Sequence, residues 1–386
     1  MPRTLKPCRR RKAISFRKLI APLRIIMKGI VPLVSRGNRK LQMTFEDQLH
    51  ALIYFHLDDH TSGRDLIQAL QEDEFLREHI APEKGIEKSS FFEAINSRGL
   101  TQLTQVFDAL VQEAGTFLPG EHTDLGDLVS VDGSLIDATL SMTWADYRKG
   151  AKKAKVHVGY DINRGIPTRI FLTNGKEGER PFVEKIVAKG QTAVTDRGYQ
   201  GHKNFDTWQK EGIHFVCRIK EGTAKEVIHI NDVLLGSIVF HDAVVSLGTG
   251  NNTTEKPVRL VGYRVEEKDY WIATDRYDLT GEQIALIYKL RWNIETFFGW
   301  WKQHLKVYHL IARTPHGLMV QMLGGLITYL LLAIYCHETH GEKVSIKRVR
   351  ELRIKIKNEA AMMDENDHWD SEDIGYNERD GLYAKM

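Results

Sequence analysis

The stretch that most constrains the fold is residues 281–306, GEQIALIYKLRWNIETFFGWWKQHLK. It holds no proline, and its glycines are Gly281 at the start and Gly299 inside. Thr280 is a ready N-cap, and Glu282 places negative charge in the first turn, where a helix favours it. Wound at about 100° per residue, the stretch separates into two faces. Leu290, Ile294, Phe297, Trp301 and Leu305 fall on one side, with Ile287 and Phe298 on its border. Tyr288, Arg291, Glu295, Gly299, Lys302 and Lys306 fall on the other. The spacing predicts one long helix with its apolar side in a core. Most charged helix faces are merely solvated, but two features set this one apart. A tyrosine and an interior glycine are poor choices for a surface stripe, the glycine costing about 1 kcal/mol against alanine. Cations also outnumber the single carboxylate, so an anion is the natural partner.

The preceding segments read as strands and helices in alternation. DLVSVDGSLIDA is a strand ending in Asp132, followed by a turn. KVHVGYDINRGIPTRIFLTN gives two strands joined at Asn163-Arg164-Gly165, a hairpin signal. ERPFVEKIVAKG reads as a helix, TAVTDRGY as a short buried strand delivering Asp196, NFDTWQKEG as a helix and IHFVCRI as a last strand. This order over 127–219 predicts a mixed α/β sheet. EVIHI, SIVFHDAVVS, VRLVGYRVEE and YWIATD then read as a β-rich insertion at about 220–275, ahead of the helix that carries Glu295. Taken singly, Asp132-Gly133 is a common turn, Asp196 beside Arg197 an ion pair, and Glu295 a helix partner of Arg291 worth a few tenths of a kcal/mol. Taken together they are two strand-borne aspartates and a helical glutamate, a three-carboxylate set.

Tyr288, two residues, Arg291, three residues, Glu295, six residues and Lys302 resemble the YREK signature of bacterial insertion-sequence transposases of the DDE type. DGS at 132–134 and TDRGY at 195–199 are similar to the two segments that carry that family's aspartates. The resemblance runs from about Met43 to about Tyr335. It implies a ribonuclease-H-like α/β fold with a mixed sheet and a β-rich insertion, preceded by a helical N-terminal domain. It implies Asp132, Asp196 and Glu295 as catalytic and metal-binding residues, holding two ions per active site. Hard oxygen ligands select Mg2+ or Mn2+ over zinc. Tyr288, Arg291 and Lys302 would face DNA, and Lys306 would extend their track although the signature does not include it. Trp271, Trp292 and Trp300 are candidates to stack on an extruded base. Asp137 and Asp161 match the motif less well. The implied activity is cleavage of the element's own ends and joining to target DNA, through hairpin ends, by a homodimer on terminal inverted repeats in the bacterial cytoplasm and nucleoid. Two rivals stand beside it: a transposase-derived DNA-binding protein without cleavage activity, and a ribonuclease-H-like nuclease that hydrolyses without joining.

Net charge of +3 says little, but residues 1–40 hold thirteen Lys or Arg and no acid. For 1–43 three readings stay open: a disordered DNA-binding arm, a solvated tail, or an over-extended reading frame with Met27 or Met43 as the start. Residues 44–120 read as a helical DNA-binding domain, with Lys88, Ser89, Ser90, Asn96 and Arg98 as phosphate-contact candidates. The catalytic domain is expected over 121–340, and 341–386 as a charged, partly disordered tail. Lys152, Lys153, Lys155 and His157 read equally as phosphate contacts or as a basic edge strand. Three scattered cysteines with no C-x-x-C pair fit a reducing cytosol. His56 and His60 lack the context of a zinc site. Residues 317–336 are long and apolar enough to cross a membrane, but a buried core helix is the favoured reading and no membrane partner is expected.

Overall fold

The computed structural model describes residues 13–34, 41–58, 60–80 and 85–372. Seven helices come first: α1 (Ile14–Leu19), α2 (Leu23–Ile26), α3 (Phe45–Leu57), α4 (Gly63–Glu72), α5 (Glu74–His79), α6 (Lys88–Ser97) and α7 (Leu100–Phe117). Their starts follow local chemistry. Thr44 and Asp47 form a capping box on α3, and Ser62 and Asp73 cap α4 and α5 with their side chains.

Residues 13–34, within the basic arm for which three readings stand open, form helices that pack on the core. Phe16, Leu19, Leu23 and Ile26 recur at helical spacing beneath the basic residues, and all are buried. Positions 1–12 and 35–40 of that arm lie outside the described residues.

The middle of the chain builds one nine-stranded sheet. Its strands are β1 (Leu128–Asp137), β2 (Lys153–Asp161), β3 (Ile166–Asn174), β4 (Thr192–Thr195), β5 (His214–Arg218), β6 (Lys225–Ile230), β7 (Val239–Leu247), β8 (Val258–Val265) and β9 (Lys268–Thr274), in spatial order β3-β2-β1-β4-β5-β9-β8-β7-β6. Two helices interrupt them, α8 (Val183–Ile186) and α9 (His202–Glu211). The first three strands are antiparallel, while β4 is parallel to β1 and β5 to β4. That is the ribonuclease-H-like order. The hairpin turns at Asn163-Arg164-Gly165 as read, with Gly165 at a positive φ of 74°.

The expected insertion takes a particular form. β9 pairs antiparallel with β5, so β6–β9 extend the same sheet. Buried Arg259 fastens the extension to the segment leading into the next helix. It holds Asp242 at 2.9 and 2.6 Å and donates to the carbonyls of Arg276 and Leu279 in that segment.

Alternation along the strands gives two cores. Val194 and Val216 face one, with the N-terminal helices. Ala193, Phe215 and Cys217 face the other, with Phe205 and Trp208 of α9. The helices of 44–120 therefore share their core with one face of the sheet. On the other face α8 sits close over β2; a Cβ at Gly159 would lie 2.3 Å from Ile186 Cγ2.

The expected single helix over 281–306 is two, α10 (Gly281–Leu290) and α11 (Trp292–His304). At the junction Arg291 N–H donates to Tyr288 O and Ile294 N–H to Arg291 O, both at 3.2 Å. These tighter i→i−3 bonds shift the helical phase. Ile294, Phe297, Trp301 and Leu305 are buried as expected, but so are Tyr288 and Arg291 from the polar face. Next come α12 (Pro315–His340) and α13 (Ile346–Glu372). Among the described residues α12 is the one helix long and apolar enough to cross a membrane, and 94% of its apolar window is buried inside the protein. Much of the charged tail, expected to be partly disordered, is α13, and residues 373–386 lie outside the described residues.

Candidate active site

β1 and β4 run side by side only as far as Ser130 and Val194. Asp132 and Asp196 each come two residues later. β4 stops at Thr195, whereas β1 continues to Asp137 on its other partner, β2. The DGS segment is thus mid-strand, not the expected turn: Asp132 and Gly133 face Val158 and His157 in the ladder. Both carboxylates lie where the parallel pair divides, at the carboxyl ends where α/β sheets open a crevice.

Each aspartate accepts from a backbone N–H just after it in the chain. Asp132 Oδ1 accepts from Gly133 N–H and Asp196 Oδ1 from Gly198 N–H, both at 2.8 Å. No Asp196–Arg197 ion pair forms among the described residues. Burial pushes the Asp132 carboxyl up to about 7; the Gly133 hydrogen bond and Arg291 oppose this, and the charges of Asp196 and Glu179 add to it.

Glu179 has no place in the motif and was not a sequence candidate. It precedes α8, and its Oε1 would lie 2.7 Å from a Cβ at position 133, so a larger residue there would push the Glu179 side chain aside. Lys155 holds it at 3.2 Å. Tyr199 was legible as part of TDRGY but had no role assigned. Its N–H donates to Asp196 O at 3.2 Å, its side chain is fully buried, and its hydroxyl has no hydrogen-bond partner among the described residues.

The helical residues stand opposite. Arg291 Nη2 donates to Glu295 Oε1 at 2.6 Å, and Arg291 Nε is buried without a partner among the described residues. The guanidinium lies 5.6 Å from the ring centres of both Tyr288 and Trp292. Tyr288, expected to face DNA, is buried beside Arg291. Lys302 Nζ donates to Leu135 O at 3.2 Å, pinning α11 over β1. It lines a cavity of about 500 Å3 with Gly133, Arg148, Lys155, Lys176 and Glu179. Lys306, expected to extend the track, lies beyond the helix that carries Lys302. α11 ends at His304, Lys306 takes a positive φ of 51°, and it lines a different cavity with His304, Arg350 and Arg353.

The remaining candidates separate by exposure and partners. Trp292, at 58% exposed, is open beside Arg291; Trp271 packs on Phe240 and His241, and Trp300 on Tyr329. Asp137 pairs with Lys153 and Asp161 with Arg164. Lys152 pairs with Asp146, and His157 is buried in a stack on Phe182. On α6, Lys88 and Ser89 are exposed, while Ser90 bonds Gln42 and Asn96 bonds Phe92 O and Thr314.

A ribonuclease-H-like sheet with two aspartates at the end of its parallel pair, opposed by an arginine and a glutamate on a helix, defines a class of phosphodiester-processing domains. Residues 124–331 match the Transposase DDE domain, and the chain belongs to that family. The chain is 29% identical over 196 residues to a probable transposase for insertion sequence element IS5377 of Geobacillus stearothermophilus, covering 50% of this chain and 52% of the relative. The chain thus spans about half the length of that relative. It is 25% identical over 280 residues to a putative transposase for insertion sequence element IS4SA of Synechocystis sp., covering 69% and 77%. It aligns with the piggyBac transposase in a synaptic complex with hairpin DNA over 98% of this chain and 88% of that one, at 11% identity and a TM-score of 0.44.

A transposase DDE domain implies dependence on a divalent metal. The residues fit one through Asp132 and Asp196, all-oxygen donors, with the Asp132 pKa raised by burial first and by the charges of Asp196 and Glu179 after it. Glu295 is not yet among them. Among the described residues no group of three or more His, Cys, Asp or Glu is placed to hold an ion, and Glu295 is paired with Arg291.

Proposed function

We propose that this protein is the transposase of a bacterial insertion sequence, cleaving the ends of its element and joining them to target DNA. The observation that carries the reading is the pairing of Asp132 with Asp196 at the division of β1 and β4, facing the buried Arg291. Asp132 and Asp196 would hold the metal, with Glu295 as third ligand to a pair of Mg2+ or Mn2+ ions. When bound, such ions lower the pKa of an attacking water or 3′-hydroxyl and stabilise the leaving oxygen. Arg291 binds a phosphate near the cut through its free Nε edge, and that phosphate competes with Glu295 for the guanidinium. Glu295 is then released toward the aspartates as DNA arrives. Lys302 holds a second phosphate beside β1, and exposed Trp292 offers a face to a displaced base. The motif set further implies a first hydrolytic nick, attack of the freed 3′-hydroxyl on the opposite strand to give a hairpin, its reopening, and a homodimer that holds two ends on DNA.

A second reading has its own support. The Glu295–Arg291 ion pair engages the motif glutamate away from the two aspartates, as a DNA-binding protein without cleavage would tolerate. A cleavage assay on a plasmid carrying the gene's flanking DNA separates the two. Wild type and Asp196→Ala are compared with magnesium and with chelator. Metal-dependent cuts at the element ends by wild type alone are expected. Binding by both proteins with cutting by neither would make the binding protein the better account.

A further inference from the structure

The Tyr199 hydroxyl is fully buried and has no hydrogen-bond partner among the described residues. Most buried hydroxyls are satisfied, so an orphan needs an explanation. Its position supplies one. The turn that bonds Gly198 N–H to Asp196 Oδ1 also bonds Tyr199 N–H to Asp196 O, so one loop orients both side chains. Arg180 Nε donates to Gly198 O at 2.9 Å, tying that loop to the segment that carries Glu179. Burial pushes the phenol pKa well up; the nearby charges of Asp132, Glu179 and Asp196 add to this, and Arg291 opposes it. A donor thus sits beside three carboxylates without bonding any of them.

We propose that Tyr199 is a positioning residue whose phenol donates a hydrogen bond to an oxygen ligand seated among Asp132, Asp196 and Glu179. That ligand is the attacking water or an oxygen of the scissile phosphate. The inference rests on the transposase reading and adds a group outside the four-residue signature. Glu179 closes the same space on its far side, over Gly133, and draws Lys155 to its edge. A ligand seated there would satisfy the orphaned hydroxyl.

The test is Tyr199→Phe, which removes the oxygen and keeps the ring. Metal-free Tyr199→Phe should unfold at the same urea concentration as wild type or a higher one, because the lost hydroxyl had no partner. If the ligand is water, Mn2+ affinity, from titration of the chelator-treated protein, should fall by about 10–100-fold, the usual effect of an outer hydrogen-bonding group; if it is a phosphate oxygen, the fall should be seen only with DNA bound. If the ligand is water, nicking slows by a similar factor while joining of pre-cut 3′-hydroxyl ends is spared. If it is a phosphate oxygen, both steps slow. Unchanged Mn2+ affinity with unchanged nicking would overturn the proposal, as would a loss of metal-free stability showing that the hydroxyl is structural. Weakened Mn2+ binding alongside a wild type that never cuts DNA would instead sink the transposase reading and leave the role of the hydroxyl standing.

Discussion

Replacing Asp132 by asparagine should make the metal-free protein more stable, and only above a defined pH. Asp132 is held at about 7 by burial, against about 3.9 for a free aspartate. Between those pH values the unfolded chain releases this proton and the folded protein keeps it. The stability tied to the protonated carboxyl is therefore fully present below about pH 4 and lost as pH rises through 7. At 1.36 kcal/mol per pH unit the difference reaches about 4 kcal/mol, and partial solvation of the crevice brings the expected range to about 2–4 kcal/mol. Asparagine does not ionise, and its Oδ1 still accepts from Gly133 N–H. Urea unfolding of chelator-treated wild type and Asp132→Asn at pH 4, 6 and 8 should show coincident midpoints at pH 4 and a more stable variant at pH 8. Excess magnesium at pH 8 should stabilise wild type selectively. A gap at pH 8 that is absent, or that persists unchanged at pH 4, would refute the assignment of a crowded, desolvated carboxylate.

The same geometry sets three further outcomes. A Cβ at Gly299 meets nothing within 4 Å, so Gly299→Ala should stabilise the free protein by about 1 kcal/mol; fluorescence anisotropy should show weaker DNA binding if that face meets the backbone. Asp242→Ala strands the buried guanidinium of Arg259 and should cost about 3–5 kcal/mol in urea unfolding. Burial pushes Cys217 up to about 12 and Cys336 to about 11, so iodoacetamide at pH 8 should label both, by peptide mass, only after unfolding.

What could be read from the chain was mostly periodicity. Ile294, Phe297, Trp301 and Leu305 announced a buried stripe, and Asn163-Arg164-Gly165 announced a hairpin. The break at Arg291 was not legible, because one tightened turn needs neither proline nor glycine. Asp132-Gly133 looked like a turn because the partner strand that keeps it extended lies about 25 residues on. Glu179 and Tyr199 reach the site through the crossover between β3 and β4 and the turn after β4, which no local pattern encodes. The opposite failure occurred at residues 13–34. Phe16, Leu19, Leu23 and Ile26 carried a helical signal, but the surrounding basic residues hid it.

The most direct test of the three-carboxylate site is a strand-joining assay with pre-cut 3′-hydroxyl element ends, a target plasmid and Mg2+. Wild type is compared with Asp132→Asn, Asp196→Asn and Glu295→Gln, and DNA binding is measured in parallel. Each variant should bind the ends, and all three should fail to join them. Joining by Glu295→Gln at the wild-type rate would contradict this mechanism, showing that the glutamate paired with Arg291 never leaves it for the metal site.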